Sequence, residues 1–285
     1  MNFGVLASVV SGLVLAVWFY RISTGIMTFF NWSTQYKLLH WWHQKLLRKP
    51  LRPEYKYVLT SYFGYYNRLR KEDKLLFERR VQYFIDTKKF ISRSSTLPLS
   101  NEMIVLISAC AIQLTFGFPG IYFRHFYRIL IYPDDYYSRI TRKYHQGEVN
   151  RAGIIVLSWK NFLQGYAEKG DGRNLGLHEM AHAMLLENQI TNNEYEFLSK
   201  THLNHWYGLA ENEMDKIRSG NSIFRKYGAS NIHEFFAVAV EVYFEQPREL
   251  LSSHPDLYYS LASLLNQDVL EVQQMKKGDP NRATR

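Results

Sequence analysis

The sequence predicts a mainly helical α+β fold: a small sheet among helices, preceded by an N-terminal transmembrane helix. Three observations carry this prediction. From Glu54 onward, apolar residues recur at helical spacing through most of the chain. Two stretches, Ile129–Tyr132 and Gly153–Trp159, are instead short, rich in β-branched residues and bounded by turn formers, as buried strands are. Finally, the eighteen residues from Phe3 to Tyr20 carry no charge.

That first run, FGVLASVVSGLVLAVWFY, is about the minimum length that crosses a hydrocarbon layer of roughly 30 Å. It ends in Trp18, Phe19 and Tyr20, aromatics suited to the headgroup level, and Arg21 follows. A cleaved signal peptide needs positive charge before the run and small residues after it; neither is present. The charge on the C-terminal side predicts a single-pass anchor in the inner (cytoplasmic) membrane, with the rest of the chain facing the cytoplasm.

The formal charge of +9 has one source. Residues 21–80 carry thirteen Lys and Arg against four Asp and Glu, so the rest of the chain is neutral. Beside an anchor, these cations face an anionic leaflet. Trp32, Trp41 and Trp42 suit the same interface. Residues 1–21 are therefore read as the anchor and 22–53 as a basic, aromatic juxtamembrane segment. No nucleic-acid-binding motif accompanies the charge, so no nucleic-acid partner is expected.

Pro50 and Pro53 mark the start of the main domain, read as 54–270. Helices are predicted over Glu54–Arg70 and Lys71–Phe90. The apolar stretch Met103–Phe123 contains Gln113 and ends in Gly117-Phe118-Pro119-Gly120, a helix stop. It reads as a buried core helix, Asn101–Phe116. If it spanned a membrane instead, the chain would be a multi-span enzyme with its chemistry on the other side. The lone cysteine, Cys110, lies in this run; it excludes an internal disulfide and reads as a small buried hydrophobe. The two strands follow, then a glycine-rich loop, Gly165–Gly172, and a helix capped by Asn174. Further helices are predicted over Asn193–Leu203, His205–Ser219, Asn231–Glu245 and Pro255–Asn266, before a polar tail, 271–285.

The helix after Asn174 carries His178-Glu179-Met180-Ala181-His182. Positions four apart share a helical face, so both imidazoles reach one metal. Two nitrogens, one oxygen ligand and an open fourth position suit a single zinc per chain. Glu179 borders that metal as general base. The surrounding Leu175, Leu177, Met180 and Ala183–Leu186 make the helix apolar nearly all round, and polar groups buried there need a partner. For the third ligand the residues leave Glu234, Glu241 and Glu245 open; Glu234 and Glu241, seven apart, share a face. His202 and His205, three apart, read as a solvated pair.

Together, Ile131-Tyr132-Pro133, the strand ending Leu157-Ser158-Trp159, the HEMAH helix and the run from Tyr227 to Val238, YGASNIHEFFAV, resemble the MtfA-like zinc peptidases (the Mlc titration factor A family). That family is related in its active-site region to the anthrax lethal factor catalytic domain. The resemblance spans roughly residues 65–265. It implies a zincin-like (gluzincin) domain, Glu234 as third zinc ligand, Tyr227 as oxyanion stabiliser or proton donor, and Glu241 in a supporting role. Two departures stand out: His182 is followed by Ala-Met where the family has a polar residue, Leu and Asp, and the N-terminal anchor is an addition.

The expected activity is hydrolysis of peptide bonds in a peptide or protein substrate, by zinc-activated water with Glu179 as base. Strand Ile154–Trp159 is expected to pair with extended substrate as an edge strand. The alternative is a regulatory binding protein that sequesters a protein partner such as a transcriptional repressor, its zinc site structural or vestigial.

Overall fold

The computed structural model describes residues 49–138, 142–168 and 170–274. The anchor expected at 3–20 lies outside them, as do most of segment 22–53 and the end of the polar tail. From Pro50 onward the described residues fold as one unit.

The unit opens with helices α1 (Pro53–Tyr62), α2 (Gly64–Arg68) and α3 (Lys71–Thr87). Pro53 occupies the first turn of α1, where its missing N–H costs nothing. The continuous helix expected over 54–70 is broken at Phe63, whose backbone is extended (φ −105°, ψ 92°). That break lets the Phe63 ring bury itself against Phe77 and Tyr166. The helix expected over 71–90 stops short because Lys89–Ser92 forms strand β1, paired with β2 (Arg128–Tyr132). Pairing with a distant strand overrides local helical spacing there.

Helix α4 (Asn101–Leu114) starts at Ser100, whose hydroxyl accepts from the Met103 N–H. It is buried almost throughout and packs on α1 and α3. Its fourteen residues span roughly 21 Å, short of a bilayer core. Among the described residues no helix is long and apolar enough to cross a membrane. The core-helix reading of this stretch therefore holds. Arg80, fully buried, closes its C-terminus: the guanidinium donates to the carbonyls of Thr115, Phe116, Phe118 and Ile121.

The main sheet has the order β1–β2–β6–β5, with β5 Gly147–Asn150 and β6 Ile154–Ser158. The first three strands are parallel and β5 runs antiparallel to β6. Strands β3 (Tyr136–Ser138) and β4 (Lys143–His145) form a separate pair. This corrects one expectation. Strand β6, the predicted Ile154–Trp159, is central, hydrogen-bonded to β2 on one side and β5 on the other, so it cannot add a substrate strand. The free edge on that side belongs to β5, a four-residue strand (Gly-Glu-Val-Asn) without the apolar alternation that marks strands in a sequence.

Helix α5 (Trp159–Ala167) leads through the glycine-rich loop to α6 (Leu175–Gln189), which packs between α4 and α8 (Ile232–Glu245) and against β5 and β6. The helix expected over Asn193–Leu203 forms only from Lys200, as the start of the next helix; residues 193–199 are turns and bends. Glu194 is drawn into the core, where it accepts from the N–H groups of Tyr122 and Arg124 and pairs with the Arg124 side chain. Asn192 turns the chain by accepting from the Glu194 N–H, and Glu196 is left-handed (φ 52°). Helix α7 (Lys200–Ser219) then runs unbroken through His205 and ends at the left-handed Gly220 (φ 82°). A 3-10 turn, Lys226–Ala229, precedes α8. Helices α9 (Pro247–Ser253), α10 (Pro255–Leu264) and α11 (Val269–Gln274) complete the described chain.

Candidate metal centre

The site begins with the seating of α6. Asn174 caps it: its carbonyl oxygen accepts from the Leu177 N–H at 3.0 Å, and its amide donates to Glu245 at 3.1 Å. Two residues in, a Cβ on Gly176 would lie 2.6 Å from the Phe162 ring and 2.9 Å from the Cys110 sulfur. Glycine there lets α6 press directly onto α4 and α5. Cys110 is packing material in that contact; burial pushes its thiol up to about 12. With α6 so placed, His178 and Glu179 are buried while His182 opens onto a cleft.

The helical period then brings the two imidazoles together, and α8 supplies the third group. His178 Nε2 and His182 Nε2 are 3.2 Å apart. Glu234 Oε2 lies 3.1 Å from the first and 3.3 Å from the second. Glu234 is set by Asn231, whose side chain caps α8 by accepting from the N–H groups of His233 and Glu234. The three atoms make a near-equilateral triangle. Four ligands at about 2.0 Å around a tetrahedral zinc would be about 3.3 Å from one another. Hydrogen bonds alone satisfy such a trio only with added protons; one divalent cation satisfies all three at once. Two imidazole nitrogens and a carboxylate oxygen are a donor set that suits zinc. These residues fit the metal.

Glu241, two turns beyond Glu234 on α8, holds the other side of the same histidine. Its Oε1 accepts from His178 Nδ1 at 2.7 Å, which turns Nε2 and its lone pair toward the metal position. Burial alone would lower the His178 pKa, but Glu234 and Glu241 outweigh it and raise it to about 10. The pocket thus favours positive charge. Glu241 also accepts from the Asn174 N–H at 2.6 Å and from both terminal nitrogens of Arg225, at 2.7 and 3.0 Å.

Glu179 is buried beside the triangle. Burial pushes its carboxyl up to about 7, against the opposing pull of His178 and His182. It lies directly against Gly147 at the start of β5: a Cβ there would sit 2.3 Å from Glu179 Oε1. Tyr227, on the 3-10 turn, is half exposed, its ring centroid 5.9 Å from that of His178. Burial, then the charge of Glu234, raise its phenol to about 12. A cleft runs past the triangle in two lobes. One, of about 510 Å³, extends toward Asn161 and the start of α6; the other, of about 490 Å³, extends toward Leu185, Leu186 and His233. His145, Gly147, Glu179 and Tyr227 border both.

Of the three carboxylates open as third ligand, then, Glu234 faces both imidazoles and Glu241 backs one. Glu245 accepts from Asn174 and the Gly170 N–H, away from the imidazoles. His202 and His205 are exposed on α7, and neither joins the metal-binding cluster among the described residues. Three residues at this site escaped the sequence reading: Arg225, Gly147 and His145. Each is single, lies outside any helical pattern, and acquires its position only when the loop or edge strand folds over α6.

The family model for the glucose-regulated metallo-peptidases M90 matches residues 38–265. An uncharacterized protein of Synechocystis sp. is 27% identical over 251 residues, covering 80% of this chain and 91% of that protein. Mlc titration factor A of Escherichia coli O17:K52:H18 is 25% identical over 207 residues, covering 65% of this chain and 77% of that protein. The same factor from Escherichia coli O7:K1 is 24% identical over the same length.

Proposed function

We propose a function from one premise: the chain belongs to the glucose-regulated metallo-peptidase M90 family. In our reading it hydrolyses peptide bonds with one zinc per chain, held by His178, His182 and Glu234. The observation that carries this is the triangle of ligand atoms with edges of 3.1 to 3.3 Å. When bound, zinc acts as a Lewis acid and lowers the pKa of water toward about 7.

The chain's own residues do the rest. Glu179 takes the proton of the attacking water and returns it to the leaving amine nitrogen; a carboxyl pushed up to about 7 is suited to both directions of transfer. Tyr227, with a phenol that stays protonated at neutral pH, donates a hydrogen bond to the carbonyl oxygen as negative charge grows there. Glu241 keeps His178 in the tautomer that presents Nε2. The free edge of β5 offers backbone groups to an extended peptide lying along the cleft.

The test combines metal content with cleavage. Wild type should carry about one zinc, lost in His182→Ala and Glu234→Ala. Glu179→Gln should keep the zinc and lose about 10²- to 10⁴-fold in rate, the usual worth of a general base. A folded wild type without zinc, or a Glu179→Gln variant that still cleaves at the wild-type rate, would sink the reading.

A second reading follows from a relative's name, which describes titration of Mlc. By analogy this chain would sequester a protein partner. Partner binding that survives Glu179→Gln while cleavage is absent even from wild type would favour it. We further propose that residues 3–20 anchor the chain in the inner membrane with the peptidase domain on the cytoplasmic side, on the strength of the uncharged run and the cations that follow it.

A further inference from the structure

Arg225 has no part in the chemistry above, yet it stands against Glu241, His178 and Tyr227. Its guanidinium forks onto Glu241, Nη2 to Oε1 at 2.7 Å and Nη1 to Oε2 at 3.0 Å. Nη2 also lies 3.4 Å from His178 Nδ1, and the guanidinium carbon stands 5.8 Å from the centre of the Tyr227 ring. Glu241 is 1% exposed, so its charge meets little water. A planar two-pronged donor is the group that matches a carboxylate in such a place.

The loop between α7 and α8 explains what this fork secures. Its first half is pinned: the Ser222 hydroxyl donates to Glu213 at 2.6 Å, and the Phe224 ring packs edge-on against Phe235. The second half carries Tyr227, which is half exposed and stands at the rim of the cleft. Arg225 lies between the two, reaching inward across the site to a carboxylate on α8 that also receives the first N–H of the α6 cap and the His178 imidazole. One side chain therefore ties the tyrosine-bearing loop to the ligand-bearing helices.

We propose that Arg225 is a positioning residue that, through its fork on Glu241, sets the His178 imidazole and the Tyr227 phenol in register across the cleft. This rests on the metallopeptidase reading. It predicts two coupled losses on removing the guanidinium. Zinc binding weakens, because Glu241, no longer held by the fork, stops fixing the His178 ring. The tyrosine's contribution to rate also falls, because the loop loses its inward anchor.

The experiment compares wild type, Arg225→Ala, Arg225→Lys, Tyr227→Phe and the Arg225→Ala/Tyr227→Phe double variant. Zinc affinity is read by competition with a chromophoric chelator, and kcat and KM on a peptide substrate. Arg225→Ala should bind zinc about 10-fold more weakly, the lower end of what loss of a ligand's own hydrogen-bond partner costs, since it acts through Glu241. Its kcat should fall with KM little changed. The double variant should be no slower than the slower single one, since both changes remove the same phenol contribution. Arg225→Lys, which keeps charge without the fork, should recover zinc affinity only in part; it also covers the case in which the alanine variant does not fold.

Zinc affinity within about twofold of wild type in both Arg225 variants, or rate losses that multiply in the double variant, would overturn the proposal. A rise in KM alone would overturn it in favour of a substrate contact, since Arg225 borders the larger lobe. Absence of zinc from the wild type would instead take the underlying metallopeptidase reading down with it, so the two failures are told apart.

Discussion

His178 is held from both ends, and the two carboxylates that hold it stand two helical turns apart on one face of α8. Glu234 meets Nε2 and Glu241 meets Nδ1. This spacing was legible in the sequence as a shared face, but the division of labour between the two glutamates was not, because it depends on which side of the imidazole each meets. Gly147 is the opposite case, a residue with no signal in the sequence and a sharp role in space. A methyl group there would displace the carboxylate of Glu179 from its place beside the imidazoles. Gly147→Ala should therefore retain its zinc while kcat falls about 10²-fold, the cost of moving a reacting group by about 1 Å. Unchanged kcat in a zinc-loaded variant would show that Glu179 yields to the methyl without loss.

At the scale of elements, α6 is the reference to which the rest of the site is fixed. Its entry is set by Asn174, which caps the helix, bonds Glu245 through its amide and donates its own N–H to Glu241. Asn174→Ala removes the cap, worth about 1 kcal/mol, and the amide's bonds to Gly165 and Glu245, together worth about as much. The loss of about 2 kcal/mol should lower Tm by about 4–8 °C in a domain of this size, and calorimetry of the metal-free protein would measure it. A Tm within 1 °C of wild type, against that expectation of about 4–8 °C, would mean the helix start is fixed by packing at Gly176 alone. Long elements with strong periodicity, such as α4, α6 and α8, were found within a few residues from sequence. Strands β1, β3, β4 and β5 were not, since three or four residues are too few to show alternation. Residues 193–199 stay out of a helix for a different reason: the burial of Glu194 against two backbone N–H groups outranks the local spacing of apolar residues.

For the molecule as a whole, the described residues from Pro50 form one unit whose core helix α4 is buried against other helices. The membrane attachment proposed above rests on residues 3–20, which lie outside the described residues. Full-length chain should sediment with membranes and resist alkaline extraction, whereas a variant lacking residues 1–20 should remain in the supernatant. A C-terminal tag should survive protease added to intact spheroplasts. Extraction of the full-length chain by alkali would remove the anchor, and digestion of the tag would reverse its orientation.

The sequence by itself determined the mainly helical class, the helix that carries the candidate metal site and the candidate ligand set. A helix fixes its own geometry: residues four apart share a face whatever surrounds them, so His178 and His182 were bound to converge. Only the tertiary structure decided that Glu234 faces both imidazoles, that β5 rather than β6 offers the free edge, and that Arg225 and Gly147 belong to the site. Those relations join residues distant along the chain through loops and short strands, and no local period in a sequence encodes which carboxylate, which edge or which glycine will arrive at the same point in space.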